Sequence, residues 1–337
     1  MTAPPASGPP AARTTPDPLP GVVLGPARYG KAENRVVRVV REGRTHHIKD
    51  LNVSIALEGD LEETHTLGRN DKVLPTDTTK NTVYAFAREH GIASAEAFAL
   101  LLARHFVAGQ ESIHRARVRI EEYTWDRIDP GAATTGGEPD PPRHSFVRSG
   151  RETRIAQVTV DAEGCEVLAG LTGLTVLNTT ASEFHGFVED RYTTLEETSD
   201  RVLATEVTAL WRYTAPSSGS AGAGGHGTRE DAASDWDARW TAARDSLLTA
   251  FARTHSLSLQ QTLYEMGGSV VRGVPGVVEI RLSLPNRHHF PVDLSPFGLR
   301  NDNEVHFAAD RPYGLIEATV LREGTTARIP PDLTNVL

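Results

Sequence analysis

Residues 34–60 read NRVVRVVREGRTHHIKDLNVSIALEGD. Val37 and Val39 before the Glu42-Gly43 pair, and Val53, Ile55 and Leu57 after it, alternate with polar residues. A period of two puts alternate side chains on one face of an extended chain, and Glu-Gly supplies a reversal. The stretch is therefore predicted to be a β-hairpin with one buried face. It decides the fold because the period changes directly after it. TTKNTVYAFAREHG, ending at Gly91, reads as a short helix closed by glycine. In SAEAFALLLARHFVAG, Phe98, Leu101, Leu102, His105 and Phe106 recur at helical spacing. A hairpin followed by two helices implies a sheet covered on one side.

Working outward, ESIHRARVRIEEYTW reads as a strand from Ile113 to Tyr123, and HSFVRS, after a Gly/Pro-rich loop, reads as its return strand. The first half is then ββααββ. The second half repeats the order. RIAQVTVDAEGCEVLAGLTGLTVLNTT supplies a hairpin and RVLATEVTALWRYT a further strand. DWDARWTAARDSLLTAFARTH is a helix with Trp240, Leu247, Leu248 and Phe251 on one stripe, and SLSLQQTLYEMGGSVVRG is a second helix. VVEIRLSLP and HFPVDL close the unit. The expected class is α+β, with ββααββ twice, antiparallel sheets and helices on one face. The expected division is a Pro-rich tail over 1–20, a first repeat over 21–150, a second over 151–325 with a Gly/Ser-rich insert at 215–233, and a C-terminal tail over 326–337. A sheet covered on one face leaves its other face partly apolar and its edges unpaired. Such surfaces are hidden by closing a barrel across subunits, which predicts an oligomer.

Composition removes several function classes. Lys and Arg number 35 against 44 Asp and Glu, a formal charge of −9 with no basic block, so nucleic acid is not an expected partner. No apolar run is long enough to cross a bilayer, so no membrane span is expected. The single cysteine, Cys165, forms neither an internal disulfide nor a thiolate metal site, which fits a reducing cytoplasm. The first 20 residues lack the charged-then-apolar order of a secretory signal.

Four stretches carry candidate chemistry. In SLPNRHHF, the adjacent His288 and His289 point to opposite faces of a strand and cannot readily share one metal ion, and no HExxH motif accompanies them. A half-exposed strand-end histidine and a proton shuttle near pH 7 both remain open for His288. In YGKAENRVV, Lys31 is either a solvated charge or a partly desolvated base. LPTDTTKNT sets Thr76 and Asp77 at a helix start, where they cap free amides or leave them to an anionic ligand. Phe184 and Arg201, in SEFHGFVEDRYTTLEETSDRVL, and Gln260 suit a clamp for a flat polar anion: an aromatic face, a bidentate cation and a carboxamide. Core packing for Phe184 and a surface ion pair for Arg201 are the alternatives.

YGKAENRV, LPTDTTKNTVY, GLTGLTVLNTT, SEFHGFVEDRYTTLEETSDR, SLQQTLYEM and SLPNRHHFPVDL, in this order, closely resemble the motifs of urate oxidase, the uricase family, from about Tyr29 to about Thr319. The resemblance implies tandem repeats of the tunnelling fold (T-fold), closed into a barrel as a homotetramer with active sites at subunit interfaces. It implies oxidation of urate by dioxygen and water to 5-hydroxyisourate and hydrogen peroxide, with no metal and no organic cofactor. It further implies that Arg201 and Gln260 grip the urate edge, that Phe184 stacks on the ring, and that the backbone around Thr76, Asp77 and Leu259 completes the contacts. Lys31, Thr76 and His288 would relay protons, while Asn286 and Thr76 hold dioxygen; His289 is implied to be structural. The chain ends TNVL without the Ser-Lys-Leu of peroxisomal members, which points to the cytoplasm. Two alternatives are another T-fold enzyme acting on purines or pterins, and a purine-binding protein without turnover.

Overall fold

The computed structural model describes residues 19–43, 45–128, 144–150, 152–214 and 235–331. The Gly/Ser-rich insert, nearly all of the Pro-rich tail and the last six residues of the C-terminal tail lie outside the described residues. Strands β1 (Tyr29–Glu42) and β2 (Thr45–Gly59) form the expected hairpin. The short helix α1 (Glu62–Thr66), α2 (Thr76–Glu89) and α3 (Ala95–Gly109) follow, then β3 (Ile113–Tyr123). Next come β4 (Trp125–Arg127), β5 (Phe146–Arg148), β6 (Thr153–Asp161), β7 (Gly164–Asn178) and β8 (Leu203–Tyr213). Helices α4 (Trp236–Arg253) and α5 (Leu259–Gly273) precede β9 (Val277–Pro291) and β10 (His306–Leu321).

One eight-stranded antiparallel sheet, in the order β1-β2-β3-β6-β7-β8-β9-β10, carries the architecture. Strands β1, β2, β3 and β6 enclose α2 and α3 in the chain, and β7 to β10 enclose α4 and α5 in the same way. The return strand differs from expectation. HSFVRS pairs only with β4, in a separate two-stranded ribbon, and β6 takes the place beside β3. The reason is length: three paired residues cannot match the 11 of β3, whereas the β-branched run of β6 can.

The core lies between the sheet and the helices. Val53, Ile55 and Leu57 are buried there, as the alternation predicts, with Phe98, Leu102, Phe106, Leu247 and Phe251 from the helices. Three details are corrected. Val37 and Val39 face away from the helices and are 57% and 36% exposed, and Val36 is the buried valine of that strand. Register explains this: Val36 pairs with Leu51 and Val37 with Asp50, so the run of adjacent valines hid which parity faces inward. His105 is exposed although it lies on the predicted stripe. Third, the face opposite the helices is mainly polar. It carries Arg117, Arg119, Gln157, Thr159, Arg281 and Glu317, with a small apolar cluster of Ile155, Leu168 and Leu210.

The two halves meet at a buried charge cluster. From β6, Arg154 donates to Glu96 at the start of α3 (2.5 Å) and to Asp237 at the start of α4 (2.6 Å), while Lys49 meets Glu122 at 2.7 Å. The C-terminal segment crosses the polar face, and Ile329 closes the Ile155–Leu168–Leu210 cluster. Glu279, fully buried, accepts from the backbone N–H groups of Arg328 (2.8 Å) and Ile329 (2.9 Å) and from Arg212 Nε (2.6 Å). Glu279→Ala leaves a largely buried guanidinium and two N–H groups without their acceptor. It should cost about 3–5 kcal/mol of stability, read by denaturant unfolding. Hydrogen exchange should show lost protection at Arg328 and Ile329.

Candidate active site

The first group of candidate residues sits at the β1 edge. Gly30 opens it: a Cβ there would lie 1.9 Å from the Ile55 carbonyl oxygen, so only glycine lets β1 pass this close to β2. Lys31 pairs with Ile55, whose side chain is in the core, so Lys31 also faces the helix side. The pairing then skips to Asn34 through a bulge, with Glu33 at φ 56°. Two bonds tie β1 to the start of α2. The backbone N–H of Leu74 donates to the Tyr29 hydroxyl at 3.0 Å, and Asn34 Nδ2 donates to the Lys80 carbonyl at 3.5 Å.

Thr76 is the first residue of α2. The expected side-chain capping is absent. Pro75 occupies the cap position, and Thr79 turns its hydroxyl back to the Thr76 carbonyl at 2.7 Å. No capping side chain occupies the first-turn amides, and these are the groups that bind anions at helix starts. Asp77 is held below the usual carboxylate range, chiefly by its hydrogen bond from Lys80, with the Lys31 charge contributing. Lys31 is therefore within electrostatic reach of the helix start.

The second group gathers at the far side of the sheet. Phe184 and Arg201 sit on a loop folded back on itself: Phe184 and Thr198 exchange backbone bonds (2.8 and 3.1 Å), and Arg201 N–H donates to the Ser182 carbonyl at 2.9 Å. A short parallel bridge between Ser182 and Ser256 joins this loop to the segment entering α5. Ser258 then caps α5 by accepting from the Gln261 N–H at 3.1 Å, so Leu259 is buried in the core and Gln260 is exposed at the first turn. Arg201 lies 5.2 Å from the Phe184 ring centroid. Its Nε is buried with no partner among the described residues, and burial lowers its pKa.

Asn286 and His288 share the parity of the core residues Leu282 and Leu284, so both face the helix side, and His289 faces away. Opposite them β10 bulges between Ala309 and Gly314. His288 is held below the usual imidazole value by burial first and then by the nearby Arg201 charge. His289 Nδ1 lies 3.0 Å from the Arg287 carbonyl.

The candidate residues fall into two groups, each a candidate half-site. Lys31, Thr76 and Asp77 form one; Phe184, Arg201, Leu259, Gln260, Asn286 and His288 form the other. A single chain does not unite them. Six inter-strand steps of about 4.8 Å separate β1 from β9, roughly 29 Å along the sheet. Among the described residues no three His, Cys, Asp or Glu side chains converge as a metal-ligand set. Sequence reasoning passed over Tyr29, Ser182, Glu183 and His255, which hold the half-sites in place. Glu183 and His255 are 72 positions apart, and only the Ser182–Ser256 bridge makes them neighbours.

Comparison with known proteins follows the same lines. A family model described as Uricase matches residues 27–159 and 167–317. A uricase of Arthrobacter globiformis is 49% identical over 92% of this chain and 93% of its own length. One of Aspergillus flavus is 36% identical over 90% and 98%. The crystal structure of the Arthrobacter globiformis uricase matches with a TM-score of 0.81 at 49% identity, covering 93% of this chain and 99% of that one. The fold extends to a uricase crystal structure from Bacillus fastidious at 23% identity, TM-score 0.68.

The depressed pKa of His288 has a measurable sign. The unfolded chain takes up the proton more readily, so the stability linked to this group is complete above its ordinary value and falls as pH drops through that value toward the folded one. Arg201→Gln removes the cation and should raise the His288 midpoint in an NMR titration. The ordinary value should not be fully restored, because burial is the larger cause.

Proposed function

The chain belongs to the uricase family and is an oxidoreductase, a urate oxidase, and we propose that its catalytic sites are built jointly by two chains from the half-sites above. Each site takes urate, dioxygen and water to 5-hydroxyisourate and hydrogen peroxide, with no metal or organic cofactor. One observation carries the reading. Arg201 holds a buried Nε with no partner among the described residues, its guanidinium lies over the Phe184 ring, and it stands beside a histidine whose pKa is lowered, which fits a planar anion with exchangeable protons.

Arg201 donates a bidentate pair to one edge of urate, and Gln260, at the exposed first turn of α5, offers donor and acceptor to the same edge. Phe184 stacks on the ring. The backbone around Leu259 closes the same edge, and from the second chain the α2 amides at Thr76 and Asp77 close the opposite one. Neutral His288 accepts a proton, and Lys31 and Thr76 of the second chain carry it onward. Removing a proton raises the electron-donating power of the ring, so urate itself reduces dioxygen held between Thr76 and Asn286. The protein contributes placement, charge and exclusion of water.

The pairing of β6 with β7 inside the chain shows how two four-stranded units join edge to edge. β1 and β10 are the sheet's two edge strands, and joining β10 of one chain to β1 of the next by the same geometry closes a barrel. That join brings the β9 half-site beside the β1 half-site of the neighbour. Two chains joined at both edges form a dimeric barrel with sites at its interfaces, and two such barrels stacked make the proposed homotetramer. No helix among the described residues is long and apolar enough to cross a membrane. A cytoplasmic setting fits the single free cysteine, Cys165.

Purified protein in air, with a chelator present, should consume urate by ultraviolet absorbance and release peroxide; dependence on added metal would contradict the cofactor-free reading. Lys31→Met and Thr76→Ala should each lower kcat by about 100-fold or more. Co-expressing Lys31→Met with Arg201→Gln, each inactive alone, should restore roughly one quarter of wild-type activity. Random pairing of the two chains gives that fraction of sites with both halves intact. No restoration would mean each site is built within one chain.

A further inference from the structure

Two backbone segments meet in the clamp half-site, the loop that carries Phe184 and Arg201 and the turn that opens α5, and one carboxylate joins them. Glu183 immediately precedes Phe184. One of its oxygens bonds His255 Nε2, and the other lies 2.7 Å from His185 Nε2. Its backbone N–H donates to the Ser256 carbonyl at 2.7 Å, and the Ser256 N–H donates to the Ala181 carbonyl at 2.9 Å. His255 lies four residues before Leu259 and five before Gln260. Glu183 thus ties the loop presenting Phe184 and Arg201 to the segment that opens α5. The two histidines hold its carboxyl below the usual range.

Backbone bonds alone leave these loops free to open from their outer side. His185 and His255 are more than half exposed, and the Phe184 ring stacks on Phe187 at 5.1 Å, itself part of the loop. Among the described residues, the Glu183–His255 bond is the one that crosses between side chains of the two segments on that outer edge. Its ionised acceptor makes it stronger than a neutral bond.

We infer that Glu183 is a positioning residue for the substrate clamp, acting through His255 to fix the separation between the Phe184 ring and the Leu259–Gln260 turn. The inference rests on the urate reading above. Glu183 touches no reacting atom, so its removal loosens ground-state binding and leaves the chemical step intact.

The test uses the full-length oligomer, with Glu183→Ala, His255→Ala, the double variant and Glu183→Gln. Both alanine variants should raise the urate KM, and the equilibrium Kd for urate without oxygen, by about five- to tenfold, with kcat within about twofold of wild type. The double variant should be no worse than the weaker single one, because both remove the same bond. Glu183→Gln keeps an oxygen acceptor for one imidazole and should recover most of the affinity. Unchanged KM and Kd in both alanine variants would overturn the inference, as would additive losses or a fall in kcat alone. Should Glu183→Ala fail to fold, His255→Ala carries the same comparison, since its ring is largely exposed. Wild-type protein that does not turn over urate would instead sink the functional reading, so the two failures are distinguishable.

Discussion

Antiparallel strands stand about 4.8 Å apart because backbone hydrogen bonds set the distance, and no side chain can shorten it. In this chain that spacing is the governing constraint. Every long strand pairs with its neighbours in the meander order, and β1 and β10 become the two edges. Lys31 belongs to one edge strand, while Asn286 and His288 lie on β9, next to the other edge. The two groups occupy the same face but opposite ends of one sheet. The chemistry proposed for them therefore depends on assembly, and assembly depends on the edges that the fold leaves open.

The buried polar groups differ in how far the chain itself supplies their partners. Glu279 has Arg212 and two backbone amides on its oxygens, and Arg154 has carboxylates on both sides. Glu279 is satisfied by the chain itself, and Arg154 is paired with carboxylates although its buried Nε has no partner among the described residues. Arg201 has a buried Nε without an acceptor and, unlike Arg154, no carboxylate partner among the described residues, and an unsatisfied buried donor costs about 1–3 kcal/mol. A substrate edge that accepts from it offsets that cost on binding. The uncapped start of α2 tells the same story more weakly, since its first amides are left to whatever docks there.

Electrostatics couples the members of the clamp half-site. The Arg201 charge and partial burial both disfavour a charged His288, so the ring is available as a proton acceptor at neutral pH. In the proposed site a bound anion would weaken the field that Arg201 exerts on the imidazole and so ease its protonation. The loop between β7 and β8 that carries Phe184 and Arg201 is long and woven by only a few backbone bonds, which is why a side-chain staple such as Glu183 matters more there than within the sheet.

The sequence by itself determined the opening hairpin and the helices that cover it, because alternation in Val53, Ile55 and Leu57 and helical spacing in Phe98, Leu102 and Phe106 are local signals of burial; it missed that VVEIRLSLP runs on into HFP as the single strand β9 and that β10 closes the sheet. It also displayed the family motifs, since each is a continuous run. It could not determine parity where hydrophobic residues are adjacent, and Val36 rather than Val37 went inward only because β2 fixed the register. Nor could it show that HSFVRS is too short to join the main sheet, or that the C-terminal segment caps Glu279. The neighbours of Phe184 and Arg201, and the separation of the two half-sites, are long-range facts. They come from strand order and loop bridges, which link residues by hydrogen bonds between distant segments and leave no periodic trace in the chain.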